Sequence, residues 1–210
     1  MRDTLSPREA RDMLAAVARE IVAKVDLLTA VDQAIGDGDH GVGMRRGFTA
    51  VLDETASVEP TSVAAVFKAV GTTVMGKTGG AAGAVFGTLF RAGSVAFEGR
   101  AALDAAGLAA FLTLGLAAVE KRGGAKPGQK TMIDALAPAA AAADAAAARG
   151  LAETIAAAAE AARAGVESTK AMIATTGKAR TLGERSLGHP DPGAVSLSLI
   201  IAAMRDFIVA

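Results

Sequence analysis

Almost nowhere does this chain alternate apolar and polar residues with the period of a β-strand. The one run that does, residues 194–201, sets Val195, Leu197 and Leu199 against Ser196 and Ser198. Elsewhere β-branched residues do not gather, alanine is abundant, and apolar residues recur at steps of three and four. Alanine is a strong helix former and a poor strand former. Helical spacing on this scale predicts an all-α fold, with a helix bundle as the default arrangement. The 210 residues suffice for one large domain, and no linker-like segment or fixed-period repeat divides them. A chain of this size buries roughly 70% of its unfolded surface, so it needs no covalent staples. Residues 1–210 are therefore read as a single domain.

The element pattern gives about eight helices. Ser6, Pro7 and Glu9 form a helix start with a capping box. Ala10, Met13, Leu14, Val17, Ile21, Val25 and Leu28 follow, so one helix is predicted to run to about Leu28. Helical spacing resumes at residues 44–52, after Pro60, and at Phe86. Residues 103–119 form a long helix stopped by Lys121, Arg122 and Gly123, basic residues and glycine being a favourable C-terminus. Two alanine-rich helices, 132–148 and 151–166, divide at Gly150. The chain ends in an apolar helix, 194–209. Between helices lie three glycine-marked interruptions, at 35–43, 76–83 and 177–193.

Composition removes several functions. Lys plus Arg and Asp plus Glu are both 22, a formal net charge of zero. Broad adhesion to nucleic acid or anionic membrane needs excess positive charge, so neither is expected as a partner. Cysteine, Trp and Tyr are absent. No thiolate site is possible, no stacking platform for single strands is available, and a reducing, cytoplasmic setting fits. No stretch of about 18 uninterrupted strongly apolar residues appears, and the N-terminal MRDTLSPREARDM has no apolar signal core.

Chemistry concentrates in the interruptions. Within VDQAIGDGDHG stand Asp32, Asp37 and Asp39, three carboxylates that repel unless a cation lies between them. A hard divalent cation takes oxygen ligands, and magnesium uses one or two carboxylates with substrate phosphates. Gly36, Gly38 and Gly41 let the backbone turn sharply enough to bring the acids together. They also spell G-x-G-x-x-G, but a helix precedes them, not a strand, and the acids would repel a pyrophosphate. An EF-hand is excluded because position twelve from Asp37 is Phe48. Gly71 to Thr78 fits the P-loop pattern in full, yet its flanks read as helix where a P-loop needs a strand before it. A P-loop NTPase is accordingly the lesser alternative. Gly79, Gly80, Ala81, Ala82 and Gly83 open a helix with small residues, exposing amides that favour an anion. In the last interruption, Lys178 and Arg185 can meet phosphate, and Asp191 can accept from a ligand or cap the final helix. His40 and His189 are the two histidines.

The ordered set AIGDGDHG, GGAAGAVFGTLF, PGQKTMIDAL and LGERSLGHPDPGA, spanning residues 28–202, resembles the nucleotide-binding L subunit (DhaL) family of dihydroxyacetone kinases. The resemblance implies a closed barrel of eight antiparallel amphipathic helices, with the nucleotide site in the loops at one end. It implies two magnesium ions on Asp32, Asp37 and Asp39. It implies ADP or ATP on His40, Gly41, Gly43, Gly79, Gly80, Ala81, Ala82, Gly123, Met132, Lys178 and the Asp191-Pro192-Gly193 turn. Without Trp or Tyr, adenine would lie against aliphatic groups such as Met132.

By the same resemblance, phosphoryl transfer goes to a short ketose held covalently on a histidine of a separate K subunit. No catalytic residue is assigned to this chain, and the histidines have phosphate-contacting or supporting roles. The donor is either ATP or a phosphotransferase-system protein that recharges held ADP. A regulatory module contacting a transcription factor is the alternative of another class. Three positions depart from the family pattern: Gly43 stands for asparagine, Ala82 for serine and Lys178 for arginine. Each removes hydrogen-bonding capacity near the nucleotide, and a hydrogen bond to a charged group contributes about 1.5–3 kcal/mol. Weaker nucleotide retention, or a subgroup acting on another short ketose, would follow.

Overall fold

The computed structural model of the chain describes residues 2–57 and 59–210; Met1, part of the N-terminal segment read above, lies outside them. Among the described residues nine α-helices occur: α1 (Pro7–Ala23), α2 (Val25–Ile35), α3 (His40–Ser57), α4 (Val63–Lys77), α5 (Gly80–Gly93), α6 (Ala105–Gly123), α7 (Ile133–Ala146), α8 (Leu151–Thr169) and α9 (Pro192–Val209). Short 3₁₀ segments follow α5, α7 and α8. The single β contact among these residues is the bridge Leu5–Leu103, closed by two backbone hydrogen bonds of 2.8 Å.

Eight of the helices close a ring. Packed neighbours run α1, α3, α4, α5, α6, α7, α8, α9 and back to α1, with successive members antiparallel. This matches the expected all-α barrel. The ninth helix, α2, is the departure from the sequence reading, which ran α1 on to Leu28. At Lys24 the backbone leaves helical geometry (φ −98°, ψ 14°), and α2 starts anew. No glycine or proline marks the break. Its cause is tertiary: a Cβ on Gly41 would lie 2.6 Å from the Val25 carbonyl and 2.2 Å from Thr29 Oγ1, so α2 is pressed onto the first turn of α3. Leu28 still enters the core, which is why the apolar spacing carries across the break.

Local signals set the other helix starts. Ser6 Oγ accepts from Glu9 N while Glu9 Oε2 accepts from Ser6 N at 2.9 Å, the expected capping box. Asp191 caps α9 with Pro192 at its first position. The strand-like alternation at 194–201 is thereby helical, and Ala194, Leu197, Ile200, Ile201, Met204 and Ile208 form its buried face.

Small residues bring the helices close. A Cβ on Gly165 of α8 would lie 2.4 Å from the Asp134 carbonyl of α7. A Cβ on Gly71 would lie 2.6 Å from Arg91 N of α5. The P-loop alternative fails on that last contact: Gly71 sits inside α4 as a helix-packing residue, and the matched segment is helix through Lys77. Phe67, Phe90, Phe97 and Phe111 form one aromatic cluster, with Phe67 4.7 Å from Phe97 and 4.8 Å from Phe111 between centroids. These rings fill the end of the barrel opposite the α4–α5 turn. Contrary to the sequence reading, Gly80–Phe97 and Pro192–Val209 are long and apolar enough to cross a membrane by composition. Both are staves of the ring, and half of each is buried there.

Candidate functional site

At the other end, the C-terminal ends of α2, α4 and α6, the segment after α8 at residues 176–179, and the N-termini of α3, α5, α7 and α9 surround a cavity of about 520 Å³. That volume suits a drug- or nucleotide-sized ligand. The acids come from the end of α2 and from the turn between α2 and α3. Asp32 is buried on the last turn of α2, where its Oδ2 accepts from His40 N at 3.1 Å and so caps α3. A Cβ on Gly36 would lie 2.3 Å from Asp32 Oδ1, so only glycine lets this carboxylate fold over the turn. Asp37 and Asp39 are exposed, and one oxygen from each of the three acids lies within 4.8 Å of the others.

A cation already serves this cluster. Lys178 Nζ donates to Asp37 and, at 2.9 Å, to Asp39. This bond holds the Asp37 carboxyl below its ordinary value and raises the Lys178 ammonium above its own. These groups are exposed, so solvent screens the pair and its contribution to stability is small. Its meaning is chemical: the donor set is all oxygen, closely spaced and negative, which fits a hard divalent cation.

Two helix N-termini face the cluster with open amides. In α3, Gly43 N is the first to bond within the helix, to the Asp39 carbonyl at 2.9 Å. In α5, Gly83 N is the first, bonding the Gly79 carbonyl at 3.0 Å. The preceding amides, at Gly41 and Val42 and at Gly80, Ala81 and Ala82, lack an intrahelical acceptor and carry the positive end of the helix dipole. Gly79 and Gly80 have φ of 78° and 58°, which brings this backbone to the cavity without side chains. Arg46 fixes the approach, donating to the Lys77 carbonyl at 2.7 Å and the Thr78 carbonyl at 2.5 Å. The cavity also has an apolar lining, made by Val85, Phe86, Val119, Ala125, Met132 and Ile133.

Of the residues singled out by sequence, Asp32, Asp39, His40, Gly43, Gly79, Gly80, Ala81, Ala82, Gly123, Met132, Lys178, Asp191, Pro192 and Gly193 line this one cavity. Asp37 stands at its rim through Lys178. Gly41 does not face it, because α2 closes over its Cα. Arg185 and His189 are not among the lining residues. His40 Nε2 lies 2.7 Å from Ser196 Oγ, and burial lowers its affinity for a proton against the pull of Asp32 and Asp39.

Sequence reading passed over Arg46, Lys130 and Asp134. Arg46 was findable, since it follows His40 and Gly43 at three-residue steps along α3. Asp134 was findable too: Thr131-x-x-Asp134 is a capping-box signature, and Asp134 accepts from Thr131 N at 2.7 Å and Gly128 N at 2.5 Å. Lys130 had no local signal.

Asp191 is half-buried and its Oδ2 accepts from Ala194 N at 2.8 Å. Burial pushes its carboxyl up to about 7; the Ala194 amide opposes this, Asp134 adds to it and Lys130 opposes it. The folded state thus keeps a proton that the unfolded chain releases near 3.8. The stability from this group is complete below the unfolded value and is lost as pH rises through the folded one. Asparagine caps a helix as well as aspartate does. Asp191→Asn is therefore expected to gain on the wild type in urea unfolding between about pH 5 and about pH 8. Parallel stability curves for the two proteins would refute the assignment.

A ring of eight helices with one loop-lined, carboxylate-bearing cavity defines a helical-barrel class of ligand-binding protein. Residues 34–206 match the DAK2 domain family, and the chain belongs to it. It is 42% identical over 178 residues to the ADP-binding subunit DhaL of PEP-dependent dihydroxyacetone kinase 1 of Listeria innocua, covering 85% of each chain. It is 36% identical to the corresponding DhaL of the PEP-dependent kinase of Escherichia coli, covering 84% of this chain and 85% of that one. The crystal structure of the dihydroxyacetone kinase from C. freundii in complex with AMP-PNP and Mg2+ superposes with a TM-score of 0.75 at 26% identity. That match covers 98% of this chain and 35% of the other, so this chain spans about a third of that kinase.

Proposed function

We propose that the chain is the ADP- or ATP-binding subunit of a dihydroxyacetone, or related short-ketose, kinase, acting with a separate K-type subunit that holds the substrate. Residues 1–210 then form one cytoplasmic nucleotide-binding domain. The observation that carries this reading is the convergence of Asp32, Asp37 and Asp39 with the open amides of α3 and α5 on one cavity. Carboxylates and amides bind opposite charges, and a phosphate chain bearing divalent cations satisfies both.

Two magnesium ions, when bound, supply positive charge to the oxygens of the transferring phosphoryl group. Asp32, Asp37 and Asp39 hold them. The first-turn amides of α3 and α5 take phosphate oxygens, with Gly41 offering only its N–H. Lys178 is placed to exchange its carboxylate partners for phosphate. Met132, with Val85 and Phe86 in the same lining, offers the base an apolar wall, and Gly123, Pro192 and Gly193 line the cavity with it. The chain's task is positioning and charge; no side chain is assigned to bond formation.

The PEP dependence in both relatives' names favours a phosphotransferase-system protein that recharges held ADP, over exchange with ATP. Calorimetric titration of purified protein with ADP and ATP, each with magnesium and with EDTA, tests the reading. Magnesium-dependent binding is expected, with ADP surviving purification if the donor is a phosphotransferase-system protein. Absence of binding under every condition would overturn the proposal.

A further inference from the structure

Lys130 combines three features that do not normally coincide. It is 2% exposed. It is the one non-glycine residue with positive φ, 61°, among the described residues. Its ammonium donates to the carbonyls of Thr169 at 2.6 Å, Met172 at 3.2 Å and His189 at 2.6 Å. A left-handed backbone is unfavourable for a side-chain-bearing residue, and a buried ammonium must be fully paired. Both are tolerated here because the surrounding structure determines them together, a pattern that clusters at functional sites.

The geometry points to Lys130 as the positioning residue that locks the loop before α7 to the loop before α9, so that Met132 and the Asp191–Gly193 turn face one cavity. This inference rests on the reading of that cavity as a nucleotide site. An ammonium has three donors, and all three are spent on backbone carbonyls, so none remains for a ligand. Its partners explain its charge. Thr169 ends α8, where unpaired carbonyls and the negative end of the dipole favour a cation. His189 lies two residues before Asp191, whose own N–H is held by Thr169 Oγ1 at 3.0 Å. Two side-chain ties, one from Lys130 and one from Thr169, thus join the backbone bond from Gly188 N to the Lys170 carbonyl at 2.8 Å in fixing the lead-in to α9. On the other side, Lys130 directly precedes Thr131 and Met132, which line the cavity. Asp134 and Asp191 are the carboxylates that face this region, and Asp191 favours the charged ammonium against its burial.

The test uses Lys130→Gly, which accepts the left-handed turn without strain and removes the buried side chain with its ammonium, together with Thr169→Val, which cuts the second tie. Amide hydrogen exchange on ligand-free protein reads the walls. Calorimetric titration with ADP and magnesium reads the ligand. In Lys130→Gly, exchange is expected to rise in residues 187–194 while helical content holds, and ADP affinity to fall about 10–100-fold, as for residues that orient a binding group. Lys130→Arg should restore part of that affinity. Thr169→Val should raise exchange in the same segment with a smaller loss. Unchanged exchange, or raised exchange at full affinity, would overturn the positioning role. If wild-type protein binds neither nucleotide, the reading of the cavity is what fails, and exchange alone decides whether Lys130 holds its walls.

Discussion

Replacing Asp37 with alanine is expected to abolish magnesium-dependent nucleotide binding while leaving helical content unchanged. Asp37 is exposed and makes no core contact; its partner is Lys178. Truncation therefore removes charge from the cluster and little else. On the proposed function, two carboxylates are then left to hold the metal and its phosphates, and Lys178 remains paired with Asp39. The loss should exceed the roughly 10–100-fold typical of residues that merely support a ligand. Asp32→Ala is the instructive contrast. That carboxylate is buried, caps α3 through His40 N and lies against Gly36, so its removal should lower stability as well as binding. The two variants separate a ligand from a ligand that is also a cap. ADP titration with magnesium and with EDTA, beside far-UV circular dichroism, makes the measurement. Unchanged ADP affinity in Asp37→Ala would remove the metal assignment.

What the sequence made legible was local chemistry. Three acids within one short glycine-rich stretch, Asp32 to Gly41, declare their need for a cation without reference to the rest of the chain. Gly79 and Gly80 before a helical run declare a helix start with open amides, and Ser6 with Glu9 declares a cap. The ring itself is not local: periodicity supplied helices, while closure of α9 on α1 was an implication of resemblance. The break at Lys24 escaped because its cause, Gly41 pressed on Val25, lies across the α2–α3 turn. Lys130 escaped for the same reason. Nothing in PGQKTMIDAL announces that its ammonium will meet Thr169 and His189. Gly43 and Gly47 are poor helix formers, and their place in α3 is explained only by a common neighbour across the packing, Thr78.

That neighbour sets the largest stability effect expected near the site. A Cβ on Gly47 would lie 1.9 Å from Thr78 Oγ1 and 3.0 Å from Thr78 Cβ. Thr78 is 1% exposed and cannot swing into solvent. It also ends α4 immediately before Gly79 and Gly80, so displacing it displaces the amides at the start of α5. Gly47→Ala should cost about 1–3 kcal/mol by overpacking, a drop of several degrees in thermal midpoint at this chain length, and should weaken ADP binding with it. Thr78→Ala alone should cost less than an ordinary buried truncation, because its hydroxyl is buried with no hydrogen-bond partner among the described residues and an unpaired buried polar group is itself unfavourable. The double variant removes the closest clash. Its stability should therefore exceed the sum of the single changes, with a coupling of about 0.5–3 kcal/mol. Additive behaviour, or a Gly47→Ala protein as stable as the wild type, would show that the α3–α4 contact does not hold the α5 N-terminus in place. Recovery of ADP affinity in the double variant alongside stability would show that the same contact shapes the cavity.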